Sequence, residues 1–232
     1  MNLLAYAIVR DAEPFRGPLP PGVDGDPLHL VTAGGLAFAC GPSPAGEPDT
    51  ERLLAFARTL QTLHRLGTIL PLRFGAVGTG DTLKAKLAAR GDEFLADLAK
   101  LDGCEEFTLR VPLPETPEPP SPAPTSGTAY LLNRRQKYTQ ADDRKALTER
   151  LVARCREHFA GRFVSLVAER STADSEPAVA VHFLVRRGAG EDLRAAVAGA
   201  DWLPTGARLL GPWPAAHFLT PPTSLLLDAP PG

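Results

Sequence analysis

The chain has 232 residues, 44% of them hydrophobic and 22% charged, and a formal net charge of -2. That length supports one large or two small buried cores, and the composition excludes wholesale disorder. Near-neutral charge supplies no global field for nucleic acid or an anionic membrane, and no run of about eighteen apolar residues is present to span a bilayer.

Leu3 to Val9 is an unbroken apolar run with no basic residue ahead of it, so it predicts a central strand covered on both faces and not a signal peptide. A Pro/Gly-rich loop follows to Leu28. Leu28 to Thr32 and Leu36 to Cys40 then read as a hairpin around Ala33-Gly34-Gly35. Asp49 or Thr50 is placed to cap a helix whose apolar face carries Leu53, Phe56, Ala57, Leu60, Leu63 and His64, with Gly67 closing it.

Thr68 to Phe74 is the next expected strand. Pro71 cannot donate a ladder hydrogen bond, which sends this strand to a sheet edge or gives it a bulge. Gly75, Gly78 and Gly80 make a turn before a second helix, about Thr82 to Leu101, with Leu83, Leu87, Phe94, Leu98 and Leu101 on one face and Gly91 among them as a point of close approach. Glu105 to Val111 alternates as a half-exposed strand.

Seven prolines between Pro112 and Pro124 favour extended geometry with nothing to bury. The expected division is therefore an α+β domain over 1–112, a linker over 113–126, a second α+β domain over 127–219 and a tail over 220–232. The second domain opens on a helical pattern from Gly127 to about Phe159, polar at first and then apolar at Leu147, Leu151, Cys155 and Phe159. Strands at Phe163 to Glu169 and Ala178 to Arg186, a helix at Gly190 to Ala200 and a strand at Ala207 to Leu210 follow. This order is ferredoxin-like but lacks its first strand or borrows it from the linker side. Both halves fit a mainly antiparallel sheet with helices on one face.

Chemistry-bearing patterns are weak. Gly75 to Thr82 has the strand–turn–helix context of a phosphate loop, yet it lacks the lysine and carries Asp81, so Asp81 or Thr82 reads as a helix cap. Cys40, Cys104 and Cys155 are widely spaced and odd in number, and read as buried free thiols. The five histidines show no metal spacing, and His64 reads as a packed core imidazole. No serine or cysteine nucleophile signature occurs, so neither enzyme nor cofactor nor metal is expected. An RNA-binding sheet would show strand aromatics within a basic signature; the second half offers Phe163 and Phe183, and the Arg134, Arg135, Lys137, Arg144, Lys145 stretch is diluted by Asp142, Asp143 and Glu149.

His64-Arg-Leu-Gly-Thr-Ile-Leu-Pro-Leu-Arg-Phe-Gly75 resembles the signature of the gas vesicle protein F and L family, GvpF/GvpL. Gly127-Thr-Ala-Tyr-Leu-Leu-Asn-Arg-Arg135, Leu210-Gly-Pro-Trp-Pro-Ala-Ala-His-Phe218 and the opening Leu4-Ala-Tyr-Ala-Ile-Val9 are similar to it as well, in the same order. The resemblance implies a cytoplasmic accessory protein of gas vesicle formation with two α+β domains and no catalysis. It would act with the small hydrophobic shell protein GvpA, other accessory gas vesicle proteins being further partners, and would engage neither nucleic acid nor a lipid membrane. An edge strand offers backbone groups to a partner, so Ile69, Leu70, Leu72, Arg73 and Phe74 are the candidate contacts, against ordinary core packing for the four apolar ones. The alternative is a two-domain ferredoxin-like module binding a small ligand or RNA.

Overall fold

Strand β1 (Leu3–Arg10) is buried at every position but its last, because it runs through the middle of a sheet. The computed structural model describes residues 2–46, 49–113, 145–171 and 177–220. Within them the chain packs as two compact units, one formed by Met1–Glu106 with Pro212–Gly232 and the other by Phe107–Gly211. The fold is α+β, with two mainly antiparallel sheets and their helices.

In the first unit β1 pairs antiparallel with β3 (Leu36–Pro42), from Leu3 opposite Pro42 to Arg10 opposite Leu36, with a bulge between Ala5 and Ala7. β2 (His29–Ala33) returns on β3 through the two-residue Gly34–Gly35 turn, as the sequence predicts. The other edge of β1 carries β4 (Leu70–Pro71) and β5 (Val77–Gly78), each of two residues. The strand expected over Thr68 to Phe74 is therefore much shorter, and for a local reason. Leu72 donates its N–H to Tyr6 O at 2.8 Å; Gly75 then takes φ +96, a region other residues avoid, and the chain turns out and rejoins β1 where Ala5 donates to Ala76 O at 2.8 Å.

Helix α1 (Thr50–Leu66) starts where the Asp49 carboxylate accepts from the Arg52 N–H at 2.8 Å. Gly67 ends it in extended backbone, and its glycine is needed for space: a Cβ there would lie 3.0 Å from the Phe15 ring. Helix α2 (Gly80–Lys100) is capped two or three residues earlier than the expected Asp81 or Thr82. Thr79 and Thr82 bond each other's backbone N–H reciprocally, so Thr79 is the cap, Thr82 closes the box, and Asp81 lies in the first turn. The predicted face of α2, Leu83, Leu87, Phe94, Leu98 and Leu101, is buried. A break falls at Arg90 (φ -133, ψ 21), whose guanidinium meets Glu93 at 2.6 Å. Gly91 is not pressed, since Leu36 Cδ1 would stand an ordinary 3.9 Å from its Cβ.

The Pro/Gly-rich loop after β1 packs against this unit. Phe15 and Leu28 are buried, the Val23 N–H donates to Tyr6 Oη at 2.8 Å, and Thr59 Oγ1 donates to Pro21 O at 2.8 Å. Tyr6 stacks on Phe56 with ring centroids 4.7 Å apart, and Phe74 meets the other side of Phe56 edge-on at 5.3 Å. That aromatic row is the centre of the first core.

The second sheet has the order β7-β8-β6-β9, with β6 (Cys104–Pro112), β7 (Ser165–Ser171), β8 (Ala178–Arg186) and β9 (Arg208–Trp213). With α3 (145–158) after β6 and α4 (Gly190–Ala198) after β8, the succession is βαββαβ, a ferredoxin-like arrangement. The first strand, expected to be lacking or borrowed from the linker side, is β6, the strand that the sequence predicts at Glu105 to Val111. The borders of the compact units fall within β6 and β9. The expected borders at 113–126 and 127 lie, from residue 114, outside the described residues, as do the 127–135 motif, the basic residues Arg134 to Arg144 and the tail from 221.

The second core gathers Phe107, Leu109, Val111, Cys155, Phe159, Val181, Phe183 and Leu193. Leu147, expected on the buried face of α3, is instead 40% exposed. Phe183 is fully buried, and Phe163, expected to open the strand but lying two residues before β7, is partly buried and packs against it at 5.4 Å, so both aromatics contribute to the core. None of the described helices is long and apolar enough to cross a membrane.

Candidate functional site

Helix α1 has more apolar surface than its core uses. Phe56, Leu63 and His64 of the predicted face are buried, together with Thr59, while Leu53 is 46% exposed, Ala57 is exposed and Leu60 is only partly covered. Leu53, Ala57 and Gln61 follow one another at steps of four and so share a line along the helix surface. Ala57 and Gln61 of that line, with Leu60 beside them, form one wall of a groove of about 520 Å3 in the first unit.

Pro71, Leu72 and Arg73 form the second wall, and Trp213, Pro214, Ala216, His217 and Leu219 the third. The lining is mainly apolar. Arg73 is the lining's one permanent formal charge, and no carboxylate is among the lining residues. Such a lining can bury another apolar surface.

The third wall is a C-terminal strap folded back onto the first unit. Ala215, just before a short 3-10 turn over Ala216–Phe218, and Phe218, the turn's last residue, insert as buried anchors. Polar groups fix its course. Gln61 Nε2 donates to Pro212 O at 2.9 Å, and Lys100 Nζ donates to Phe218 O at 2.6 Å. The buried carboxylate of Glu106 accepts from the His217 N–H at 3.1 Å and lies 2.7 Å from His217 Nδ1. The buried Asp97 carboxylate accepts from the Thr220 N–H at 3.2 Å and from Thr220 Oγ1 at 3.0 Å. Hydrogen bonds to ionised groups are the stronger kind, so the strap is held in a defined position. Trp213 then stands 44% exposed at the groove mouth.

The residues singled out as contacts are divided by the structure. Ile69 and Leu70 are buried in the core, Phe74 is partly buried against Phe56, and Leu72 is buried with a share of the groove wall. Arg73 is exposed at the wall. The backbone edge is blunted. Leu72 donates inward to Tyr6 O, which puts Pro71 at the alternate position where an N–H would point outward, and proline has none. What sequence reasoning missed is the convergence of α1, β4 and the strap; the only signal for it was an α1 apolar face wider than one core contact needs.

The thiols take no part. Cys40 and Cys155 are buried free cysteines, and burial pushes each thiol up to about 12. Such groups are held as inert SH at neutral pH.

Residues 2–220 match the family described as gas vesicle synthesis protein GvpL/GvpF. Among solved structures, the chain is similar to the gas vesicle protein GvpF from Microcystis aeruginosa, with a TM-score of 0.69 and 17% identity over 94% of this chain and 99% of that one. It is likewise similar to GvpF from Anabaena sp. PCC7120, with a TM-score of 0.70 and 15% identity over 94% of this chain and 96% of that one. No curated protein sequence matches it.

Proposed function

The chain belongs to the gas vesicle synthesis protein GvpL/GvpF family, and on that premise we propose that it is a cytoplasmic, non-catalytic accessory protein that binds the small hydrophobic shell protein GvpA and assists early assembly. A subunit destined for a water-excluding wall exposes apolar surface before it polymerises. A partner with a complementary apolar groove keeps that surface from aggregating until it is built in.

The observation that supports this reading is the groove between α1, Pro71–Arg73 and Trp213–Leu219, whose lining is mainly apolar. Ile69, Leu70 and Phe74 act from behind, as the packing that holds Leu72 and Arg73 in the wall.

Co-expression with the shell protein followed by pull-down, together with flotation of cells lacking this chain, tests the proposal. The expected result is a recoverable complex and loss or delay of flotation. Normal vesicles without the chain, with no complex formed, would sink it.

A further inference from the structure

Two features of the groove bear on the form of its occupant. One is the closed backbone edge at β4; the other is the distribution of charge. Strand addition needs a row of outward N–H and C=O groups, and β4 has two ladder residues, of which Pro71 supplies no donor. An extended segment therefore gains little main-chain bonding here.

A helix needs no such edge, because its backbone groups are satisfied internally. The groove volume of about 520 Å3 is roughly three times that of a cavity which holds one benzene ring. Three large aliphatic side chains fit that volume. One face of a helix presents this number over two turns, at i, i+3 or i+4, and i+7, a length of about 11 Å.

Charge selects further. Arg73 is on the wall, and Arg65, also exposed, lies one turn beyond Gln61 on α1. The two carboxylates bonded to the strap, Glu106 and Asp97, are both buried. The one permanent charge in the lining is therefore positive.

From the closed edge, the three-side-chain volume and the positive charge of Arg73 in the wall, we infer that the groove binds an amphipathic α-helix of its partner, docked by two turns of aliphatic side chains and flanked by acidic residues. The inference takes only the partner's identity from the shell-protein reading; the groove's preference for a helix stands on its own geometry.

The test uses the full chain with Trp202→Phe, which leaves Trp213 as its one tryptophan and an emission reporter at the groove mouth. The probe is an acetylated helical peptide with leucines at i, i+3, i+4 and i+7 and glutamates at both ends. Controls are a peptide of the same composition in strict alternation and a helical one with lysines for glutamates. The expected result is a saturable blue shift of Trp213 with the acidic helix, gain of helical circular dichroism, and at least about tenfold weaker binding of both controls. Ala57→Glu, at an exposed position, should weaken binding about tenfold, and Arg73→Glu should reverse the preference toward the lysine-flanked peptide.

Equal or tighter binding of the alternating peptide would overturn the inference, as would binding indifferent to both variants when circular dichroism shows each one folded. A concentration-dependent dimer abolished by Ala57→Glu and not displaced by the peptide would also overturn it, by assigning the face to a second copy. If the shell protein is captured but Ala57→Glu leaves capture unchanged, the groove inference fails and the proposed function stands. If the acidic peptide binds but the shell protein is not captured, the groove inference stands and the proposed function fails.

Discussion

His217 holds its Nδ1 2.7 Å from the carboxylate of Glu106, a residue 111 positions earlier in the chain whose side chain is only 3% exposed. The same carboxylate accepts from the His217 backbone N–H. One buried anion thus fixes both the ring and the main chain of the strap that walls the groove. Replacing it by alanine removes two acceptors at once. Glu106→Ala is expected to destabilise the strap by about 1–3 kcal/mol, with Glu106→Gln intermediate because its amide oxygen still accepts. Hydrogen exchange of the 213–220 amides measures this directly; unchanged protection in Glu106→Ala would show that the strap is held elsewhere.

Phe56 lies between the stacked ring of Tyr6 and the edge of Phe74. It joins α1, the central strand and the segment that carries Arg73. Phe56→Ala should cost about 3–5 kcal/mol, the range for a buried aromatic whose neighbours cannot close the space. Urea unfolding followed by circular dichroism reads the loss. Phe56→Leu, which keeps much of the volume, should recover more than half of it.

Gly67 separates two explanations that sequence alone cannot tell apart. It has φ -177, extended backbone open to any residue, so a glycine here does not serve a left-handed cap. Its reason is the Phe15 ring, two atoms of which would lie 3.0 Å from an added Cβ. Gly67→Ala should therefore destabilise by about 1–3 kcal/mol through overpacking, and Phe15→Leu in the same chain should relieve part of that cost. Additive losses in the double variant, measured by thermal unfolding, would rule out the contact as the cause.

Elements whose signal is local were legible in the sequence. Seven consecutive apolar residues made β1 a central strand, Gly34–Gly35 marked the hairpin, and steps of three and four gave the buried face of α2. The family was legible too, through motifs spread along the chain. What stayed hidden depends on long-range placement. β6 reads as the last strand of the first half, yet it pairs in the second sheet and supplies the strand that the βαββαβ order was missing. The strap at Pro212–Thr220 reads as the end of the second domain, and only its bonds to Gln61, Asp97, Lys100 and Glu106 show that it packs with the first unit. Periodicity records which face of an element is apolar; it does not record what covers that face. For the same reason the α1 stripe did not show that Ala57 and Leu60 line an open groove.

Cys40 and Cys155 give the protein a defined response to alkali. Burial raises each thiol from an ordinary value of 9.0 to about 12. Between these values the unfolded chain has lost protons that the folded chain keeps, so stability falls as pH rises, by up to about 1.4 kcal/mol per pH unit for each thiol. Below pH 9 both states hold the protons and the effect vanishes. Burial raises the Tyr6 hydroxyl as well, and it adds in the same direction. Urea unfolding at pH 8 and pH 10.5 should show the loss, and Cys40→Ala should reduce the difference between the two pH values while lowering stability at pH 8 through the cavity it leaves. A thiol reagent at pH 8 should label neither residue in the folded chain and both in urea. Rapid labelling of the native protein at either position would contradict the assignment of these cysteines as enclosed, protonated core groups.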